Sequence, residues 1–245
     1  MLPYSAFLVL SGILIAIAER VWPRVPGQPL LRRGFFLDLV YLFFNAEIVG
    51  ALVSIWLTSQ IPPARILPWR DSLGLAWLLS APVWLQLILL LFVKDFFQWL
   101  VHNLMHRIPA LWHFHRIHHS TEQMDWLSNW RFHWFEIVAY QLVLYLPATL
   151  VGVSPEAAYG CAILSTLIGH LAHANLRLSL SFLEYIFNSP SLHAWHHVHP
   201  DHGPTHLNYA ISLSVWDWLF GTAYLPGHMP KRLGLKESEA SHLPV

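Results

Sequence analysis

The stretch "LILLLFVKDFFQWLVHNLMH", residues 87–106, joins an apolar run directly to a pair of histidines. It contains neither proline nor glycine, so a single helix can continue through it. Residues four apart in an α-helix differ by about 40° around the axis, and His102 and His106 therefore project from one face. The stretch predicts a membrane helix whose end carries two neighbouring imidazole side chains.

The composition agrees with a membrane protein. Of the 245 residues, 55% are hydrophobic and only 11% are charged, and the mean hydropathy is +0.44, which is unusual for a soluble domain. Apolar stretches of about the length needed to cross a hydrocarbon core of ~30 Å lie at 2–18, 36–57, 74–93, 136–153 and 157–173. We therefore expect an all-α integral membrane protein with about four to five transmembrane helices.

The first apolar stretch has two interpretations. It lacks the basic segment and the small-residue cleavage site of a signal peptide, and "ERVWPR" follows it directly. These features favour a retained first helix over a removable signal peptide.

The basic residues predict the orientation in the membrane. Short cytoplasmic loops are enriched in lysine and arginine, and the loop after the first stretch carries Arg20, Arg24, Arg32 and Arg33. Alternation from there places residues 58–73 outside, residues 107–131 inside, and the chain after His173 inside. Arg65 and Arg70 fit the outside loop less well. The histidines should thus form a cytoplasmic helical cap.

The chain is expected to be a single membrane domain in three parts. These are N-terminal transmembrane helices at 1–93, a histidine-bearing region at 94–225 and a polar tail at 226–245. Lys and Arg number 14, as do Asp and Glu, so the net charge of zero gives no reason to expect a nucleic-acid partner. The lone Cys161 excludes an internal disulfide and a cysteine-based zinc site, and should be a small core residue.

All 17 histidines lie between residues 102 and 242, and several follow helical spacing. Two HxxHH boxes, at 115–119 and 193–197, each place three histidines on one helical stripe. Ser189 and Pro190 are suited to begin the helix of the second box. The candidate ligands are His102, His106, His115, His118, His119, His170, His173, His193, His196 and His197.

Other interpretations of the histidines are less consistent with their pattern. A tag-like tract would not be split into separate clusters with helical spacing and interleaved Trp, Leu and Ile. Burying ten unpaired imidazoles near a bilayer would be costly, whereas shared coordination removes that cost. Ten ligands exceed the needs of one four- to six-coordinate ion, so two ions are expected. We expect ordinary surface or core roles for His113, His199, His202, His228 and His242.

The ligand type narrows the chemistry. Neutral imidazole suits Zn, Cu, Fe and Ni. A metalloprotease of the HExxH kind is disfavoured, because Asn103 follows His102 where that motif requires a glutamate. A zinc transporter or sensor is a further alternative, but transport sites usually lie near the bilayer midplane, and these boxes follow the ends of apolar stretches. A bis-histidine haem protein would instead need isolated histidines on separate helices.

The sequence resembles the fatty acid hydroxylase and sterol desaturase superfamily of membrane oxygenases over about residues 90–225. The resemblance rests on an HxxxH box at 102–106, the two HxxHH boxes and their order, together with "RFHWFE" at 131–136 and "NYAISLSVWDWLFGT" at 208–222. The sequence departs from the usual pattern at Asn103, Trp134 and Ala210, where the superfamily commonly has arginine, proline and glycine.

The resemblance implies a non-haem di-iron centre. Its ligands would be nine of the ten candidates, with His170 as a less certain tenth, and zinc could substitute for iron. No catalytic residue is implied beyond these ligands. Metal-bound histidines normally donate their second N–H to a partner that fixes the ring, and the candidates for that role are Asp95, Asn175, Asn208 and Asp217.

The resemblance also implies an activity. We expect O2-dependent hydroxylation of a C–H bond in a lipid, fatty acyl, sterol or related, with desaturation as the alternative outcome. The first 101 residues hold no ligands for a haem, flavin or iron–sulfur domain. Electrons should therefore come from an external reductase, ferredoxin or cytochrome, and the substrate should enter sideways from the bilayer.

Overall fold

The computed structural model describes residues 3–240, and within them the regular structure is helical apart from two isolated β-bridges. The expectation of an all-α fold is therefore confirmed. The α-helices are α1 (Tyr4–Val21), α2 (Phe35–Gln60, π-helical over Phe44–Val49), α3 (Pro63–Ser72), α4 (Val83–Arg107), α5 (Pro109–His119), α6 (Trp134–Val151), α7 (Pro155–His173), α8 (Pro190–His196), α9 (Val215–Phe220) and α10 (Glu237–Ala240).

Helices α1, α2, α4 and α6 are each long and apolar enough to cross a membrane. Their outer faces carry large exposed side chains such as Leu14, Ile55 and Trp84, as expected of surfaces that face lipid. The fifth apolar stretch also forms a helix, α7, but it lies outside this apolar set. The described chain thus has four candidate membrane spans, within the predicted number of about four to five.

Two predicted boundaries are wrong, and prolines explain both. The apolar stretch 74–93 was expected to form one segment, but α4 begins only at Val83, after Pro82, and Ala76–Ser80 forms a separate 3-10 helix. The predicted loop at 58–73 contains α3, which has Pro63 in its first turn. Proline is well tolerated at that position because its missing N–H would have no helical partner there.

One end of the bundle collects the basic loop and the histidine-bearing segments. The Arg24 amide donates to the Asn175 carbonyl at 3.0 Å, and the Arg177 amide donates to the Trp22 carbonyl at 3.0 Å. At the opposite end, the Tyr145 hydroxyl donates to the Ile61 carbonyl at 2.7 Å. The alternation of loops between two ends follows the predicted pattern.

A buried ionic cluster ties the start of α2 to the histidine end. Arg32 donates to Asp38 and to Asp125, and Arg131 donates to both carboxylate oxygens of Asp38. All four side chains are almost fully buried, so each charge depends on its partners for solvation. Gly34 has a φ of +82°, and a Cβ there would overlap the Arg131 guanidinium. Glycine is therefore required at this approach.

Helix α4 is the centre of the main core. Its Leu90, Leu91 and Trp99 pack with Cys161 of α7 and with Tyr209 and Trp216, which come from the segment after α8. Cys161 is fully buried and unpaired, as predicted. The helical cap, which comprises α5, α8 and the segment that follows α8, is thus packed directly onto the membrane helix α4.

Part of the polar tail lies over the second HxxHH box. The Gly234 amide donates to the His197 carbonyl at 3.1 Å, and the Trp195 indole donates to the His228 carbonyl at 2.7 Å. His242, at the end of the tail, lies outside the described residues.

Candidate dimetal site

Four helix ends bring the predicted ligands together. The last two turns of α4 carry His102 and His106, α5 carries the first HxxHH box, and His173 ends α7. Helix α8 carries the second box, with His197 as the residue that ends it. Ser189 caps α8 by accepting the Leu192 amide at 3.2 Å, and Pro190 is its first residue, as the sequence predicted.

Nine of the ten candidates form two buried groups. In each group the candidate ligand atoms all lie within 4.8 Å of one another. The five-histidine group contains His102, His106, His115, His119 and His196. The four-histidine group contains His118, His173, His193 and His197. The groups adjoin, because the rings of His119 and His197 stack with centroids 4.4 Å apart.

The tenth candidate, His170, lies in neither group. Its Nε2 accepts the Trp130 indole N–H at 2.8 Å. Of the other described histidines, His113 is exposed and His133 caps α6 by accepting the Phe135 amide.

Ring nitrogens converge within each group. In the four-histidine group, His118 Nε2 lies 3.2 Å from His173 Nε2 and 3.1 Å from His197 Nε2, and His193 Nε2 lies 3.0 Å from His173 Nε2. In the five-histidine group the shortest such distance is 2.9 Å, between His102 and His115. Nitrogens bound to one ion at ~2.0–2.1 Å are themselves ~3 Å apart.

The outward ring nitrogens indicate that several converging nitrogens carry no proton. His102 Nδ1 donates to the Tyr209 carbonyl at 2.7 Å, His196 Nδ1 to the Leu207 carbonyl at 2.8 Å, and His173 Nδ1 to the Gly169 carbonyl at 3.0 Å. A carbonyl can only accept, so the proton of each neutral ring is on Nδ1 and Nε2 presents a lone pair.

A fourth outward ring nitrogen, in His115, contacts a carboxylate that was not among the predicted site residues. His115 Nδ1 lies 2.6 Å from Glu136 Oε2, and Glu136 is completely buried at the start of α6. The only sequence signal for Glu136 was its place at the end of "RFHWFE".

Burial keeps the rings neutral. Desolvation, followed by the neighbouring histidines, lowers the pKa of these rings well below 6.5 at His115, His118, His119, His193, His196 and His197. Neutral imidazoles are the form that binds metal ions. Converging lone pairs without protons would repel one another, and His196 Nε2 has no hydrogen-bond partner among the described residues. The donor set therefore fits two ions with affinity for imidazole.

The four residues predicted to orient the rings bond mainly to backbone instead. Asp95 accepts the Ser212 and Leu213 amides, and Asn175 pairs with the backbone of Val25. Asn208 bonds to the backbones of Leu192 and Tyr224.

Asp217 accepts the amides of Tyr209 and Ala210, the Trp99 indole and the Thr222 hydroxyl. It thus holds the segment whose Tyr209 carbonyl receives His102. Asp217 acts on the ring through one backbone residue rather than by direct contact.

Two cavities reach the histidines from different directions. A cavity of about 30 Å³ touches both groups and is walled by Phe132 and Tyr140, with Phe132 stacked on His118 at 4.5 Å. A larger cavity of about 470 Å³ reaches only the five-histidine group, and it is bordered by Arg107, Lys236 and Glu239. The first cavity adjoins the membrane helices, and the second has charged side chains at its border.

The fold and the histidine geometry define an all-helical multi-pass membrane protein with a candidate dimetal site. The family model for fatty acid hydroxylase matches residues 87–222, which include all ten candidate ligands. The chain belongs to the fatty acid hydroxylase family. No solved structure was found to match it significantly.

The chain is also similar to several proteins whose names describe reactions on lipids or lipid-derived molecules. The chain is 31% identical to ornithine lipid hydroxylase OlsE of Rhizobium tropici, with 85% of the chain and 61% of that protein covered. It is 26% identical to alkylglycerol monooxygenase of Xenopus tropicalis, over 89% of the chain and 46% of that protein. It is 24% identical to a very-long-chain aldehyde decarbonylase of Oryza sativa, over 71% of the chain and 27% of that protein. The chain thus spans about half the length of the first two relatives.

Proposed function

We propose that the chain is a membrane-bound non-haem di-iron oxygenase that hydroxylates a C–H bond of a lipid with O2 and external electrons. The observation that carries the proposal is the convergence of nine neutral histidines into two adjacent groups. Family membership and the hydroxylase and monooxygenase names of two relatives support hydroxylation over desaturation. A zinc transporter is less consistent with ligands gathered at helix ends instead of the bilayer midplane.

The residues of the chain would hold and shield the ions. The ligands would be the five-histidine and four-histidine groups, and their rings are oriented by Glu136 and by the Tyr209, Leu207 and Gly169 carbonyls. When bound, the iron pair would supply O2 activation and C–H oxidation, which side chains alone cannot perform. Phe132 and Tyr140 would keep water from the face of the site that adjoins the membrane helices.

The two cavities suggest separate routes for substrate and electrons. A lipid can approach from the bilayer between helices toward the small cavity beside Tyr140. A soluble reductase, ferredoxin or cytochrome would act from the polar side, where the larger cavity reaches His106, His119 and His196. We propose that this side is cytoplasmic, because the last turn of α1 and the loop after it, at the same end, carry Arg20, Arg24, Arg32 and Arg33.

Metal content tests the central claim. Detergent-purified protein should contain about two iron ions per chain, since each group can satisfy one ion of four to six ligands. His118→Ala should lower that content, whereas His113→Ala, at an exposed histidine on the same helix, should leave it unchanged. Folded protein without any transition metal would refute the proposal. With metal present, O2 uptake with a panel of bilayer lipids would identify substrates.

Cysteine labelling tests the orientation. In a Cys161→Ala background, Gln123→Cys places an exposed thiol at the histidine end, and Ser59→Cys places one at the opposite end. A membrane-impermeant maleimide applied to intact cells should label the second variant and spare the first. The reverse pattern would put the site on the outer side.

A further inference from the structure

Two polar residues extend the histidine face of α4 into the membrane. Lys94 and Gln98 precede His102 and His106 at intervals of four, so each side chain lies about 40° around the helix axis from the next and the four form a continuous stripe. Lys94 is 2% exposed and Gln98 is 9% exposed. Buried polar groups at this depth are expensive and usually serve a function.

These two residues border a cavity of about 180 Å³ among the helices. Asn45 of α2, Tyr140 of α6 and Ser165 of α7 also line it, and the remaining wall is largely apolar. Tyr140 also lines the small cavity beside the histidine rings. Tyr140 is therefore a wall residue common to the intramembrane cavity and the candidate dimetal site.

The cavity holds hydrogen-bonding groups without partners. Asn45 Nδ2 donates to the Trp130 and Phe132 carbonyls, but Asn45 Oδ1 has no partner among the described residues. Gln98 Oε1 also has none. Both residues are more than nine-tenths buried. Lys94 Nζ donates to Ser165 Oγ at 2.6 Å, and an ammonium group has two further protons to donate.

We propose that this cavity binds a neutral hydrogen-bonding group, a hydroxyl or an amide, of the lipid substrate. Such a group can donate to Asn45 Oδ1 or Gln98 Oε1 and accept from Lys94. A carboxylate would suit Lys94 but would face two carbonyl oxygens, and a plain alkyl chain would leave both of those oxygens without a donor. The inference rests on the proposed function, because it assigns the bound molecule as the substrate of the adjacent site.

Ligand-dependent thermal stability in nanodiscs tests the assignment. The probes are 1-dodecanol, dodecanoate and dodecane, which share one chain length. In the wild type, 1-dodecanol should raise the melting temperature more than either other probe does. Gln98→Leu should weaken the apparent affinity for 1-dodecanol at least tenfold, with Lys94→Met as a second variant should the first not fold. Gln60→Leu, at an exposed glutamine at the opposite end, is the matched control.

The outcomes separate this inference from the proposed function. Equal stabilisation by dodecane and 1-dodecanol would overturn it, as would a preference for the alcohol that persists in both cavity variants. The assay needs neither metal nor turnover. Loss of iron or of O2 uptake with the alcohol preference intact would therefore refute the proposed oxygenase function but still support a binding site in the intramembrane cavity. O2 uptake without the alcohol preference would refute only the proposed binding site.

Discussion

Among the described residues, Glu136 is the only carboxylate hydrogen-bonded to a histidine of the five-histidine or four-histidine group. It reaches His115 Nδ1 from the first turn of α6, and its Oε1 accepts the His133 amide at 3.3 Å. A carboxylate behind an imidazole fixes the ring and raises the basicity of its other nitrogen. Glu136 thus couples the start of a membrane helix to the five-histidine group.

Removing the Glu136 carboxylate should weaken metal binding. Partners of this kind typically change metal affinity by about 10–100-fold, so Glu136→Gln should release iron at a correspondingly lower chelator concentration. The measurement is metal retained after equilibration with increasing chelator. Glu47→Gln, at an exposed glutamate of α2, should retain iron like the wild type. Equal retention by both variants would show that His115 does not depend on Glu136.

At the residue scale, the histidines were predictable and most of their partners were not. Helical spacing placed His102 with His106, and each HxxHH box on one stripe, because these relations are local in sequence. The partners are mainly backbone carbonyls such as Tyr209 and Leu207, which carry no side-chain signal. Asp95 and Asn208 were plausible from their polarity, but the fold uses them to satisfy loop backbone.

Among the elements, the turn into α2 has the tightest steric requirement. Gly34 adopts a left-handed conformation immediately before the helix, where the Arg131 guanidinium crosses it. That guanidinium neutralises Asp38, which is itself shared with Arg32. The position of α2 against the segment before α6 therefore depends on one residue without a side chain.

Gly34→Ala should destabilise the protein more than Gly27→Ala. Both glycines have positive φ, so both variants bear the left-handed strain of ~1–2 kcal/mol. Only at Gly34 would the new methyl group meet another atom, since nothing lies within 4 Å of a Cβ at Gly27. The free energy of unfolding in denaturant should differ between the variants by more than about 1 kcal/mol, because a buried ion pair is displaced. Equal losses would contradict this account.

The predicted helix boundaries were correct where the capping residues lie at the helix start itself. They were wrong where the effect of a proline on the start of a helix was not taken into account. The start of α8 at Ser189 and Pro190 was predicted because both signals lie within the helix start itself. Hydrophobicity alone extended the third stretch back to residue 74, although Pro82 sets the true start of α4. Residues 58–73 were expected to form a loop, yet Pro63 begins α3 within them.

At the scale of the whole molecule, the histidine groups join helix ends that are far apart in the chain. Each group combines ligands from α5 and from α8 or its capping residue with ligands from one long helix, α4 or α7. An ion that binds only the folded chain stabilises it by mass action. The candidate dimetal site should therefore also hold the cap together.

Metal removal should loosen the cap and spare the distant helices. After chelation, backbone amides of α5 and α8 should exchange hydrogen faster, because their converging rings lose the ion that links them. Amides of α3, at the opposite end of the bundle, serve as the internal control. Hydrogen exchange followed by mass spectrometry gives both readings in one experiment. Unchanged exchange in α5 and α8 would mean that packing alone holds these helices.

The order of the ligands along the chain has a consequence for biosynthesis. His102 and His106 leave the ribosome first, and His196 of the same group follows 94 positions later. At about 5–20 residues per second, the first pair waits roughly 5–20 s for its partner. A growing chain therefore offers only incomplete, low-affinity sites while its helices enter the bilayer. An ion that needs all of the five-histidine group could be bound firmly only after translation has passed the second HxxHH box, so insertion of the first helices would precede metal loading.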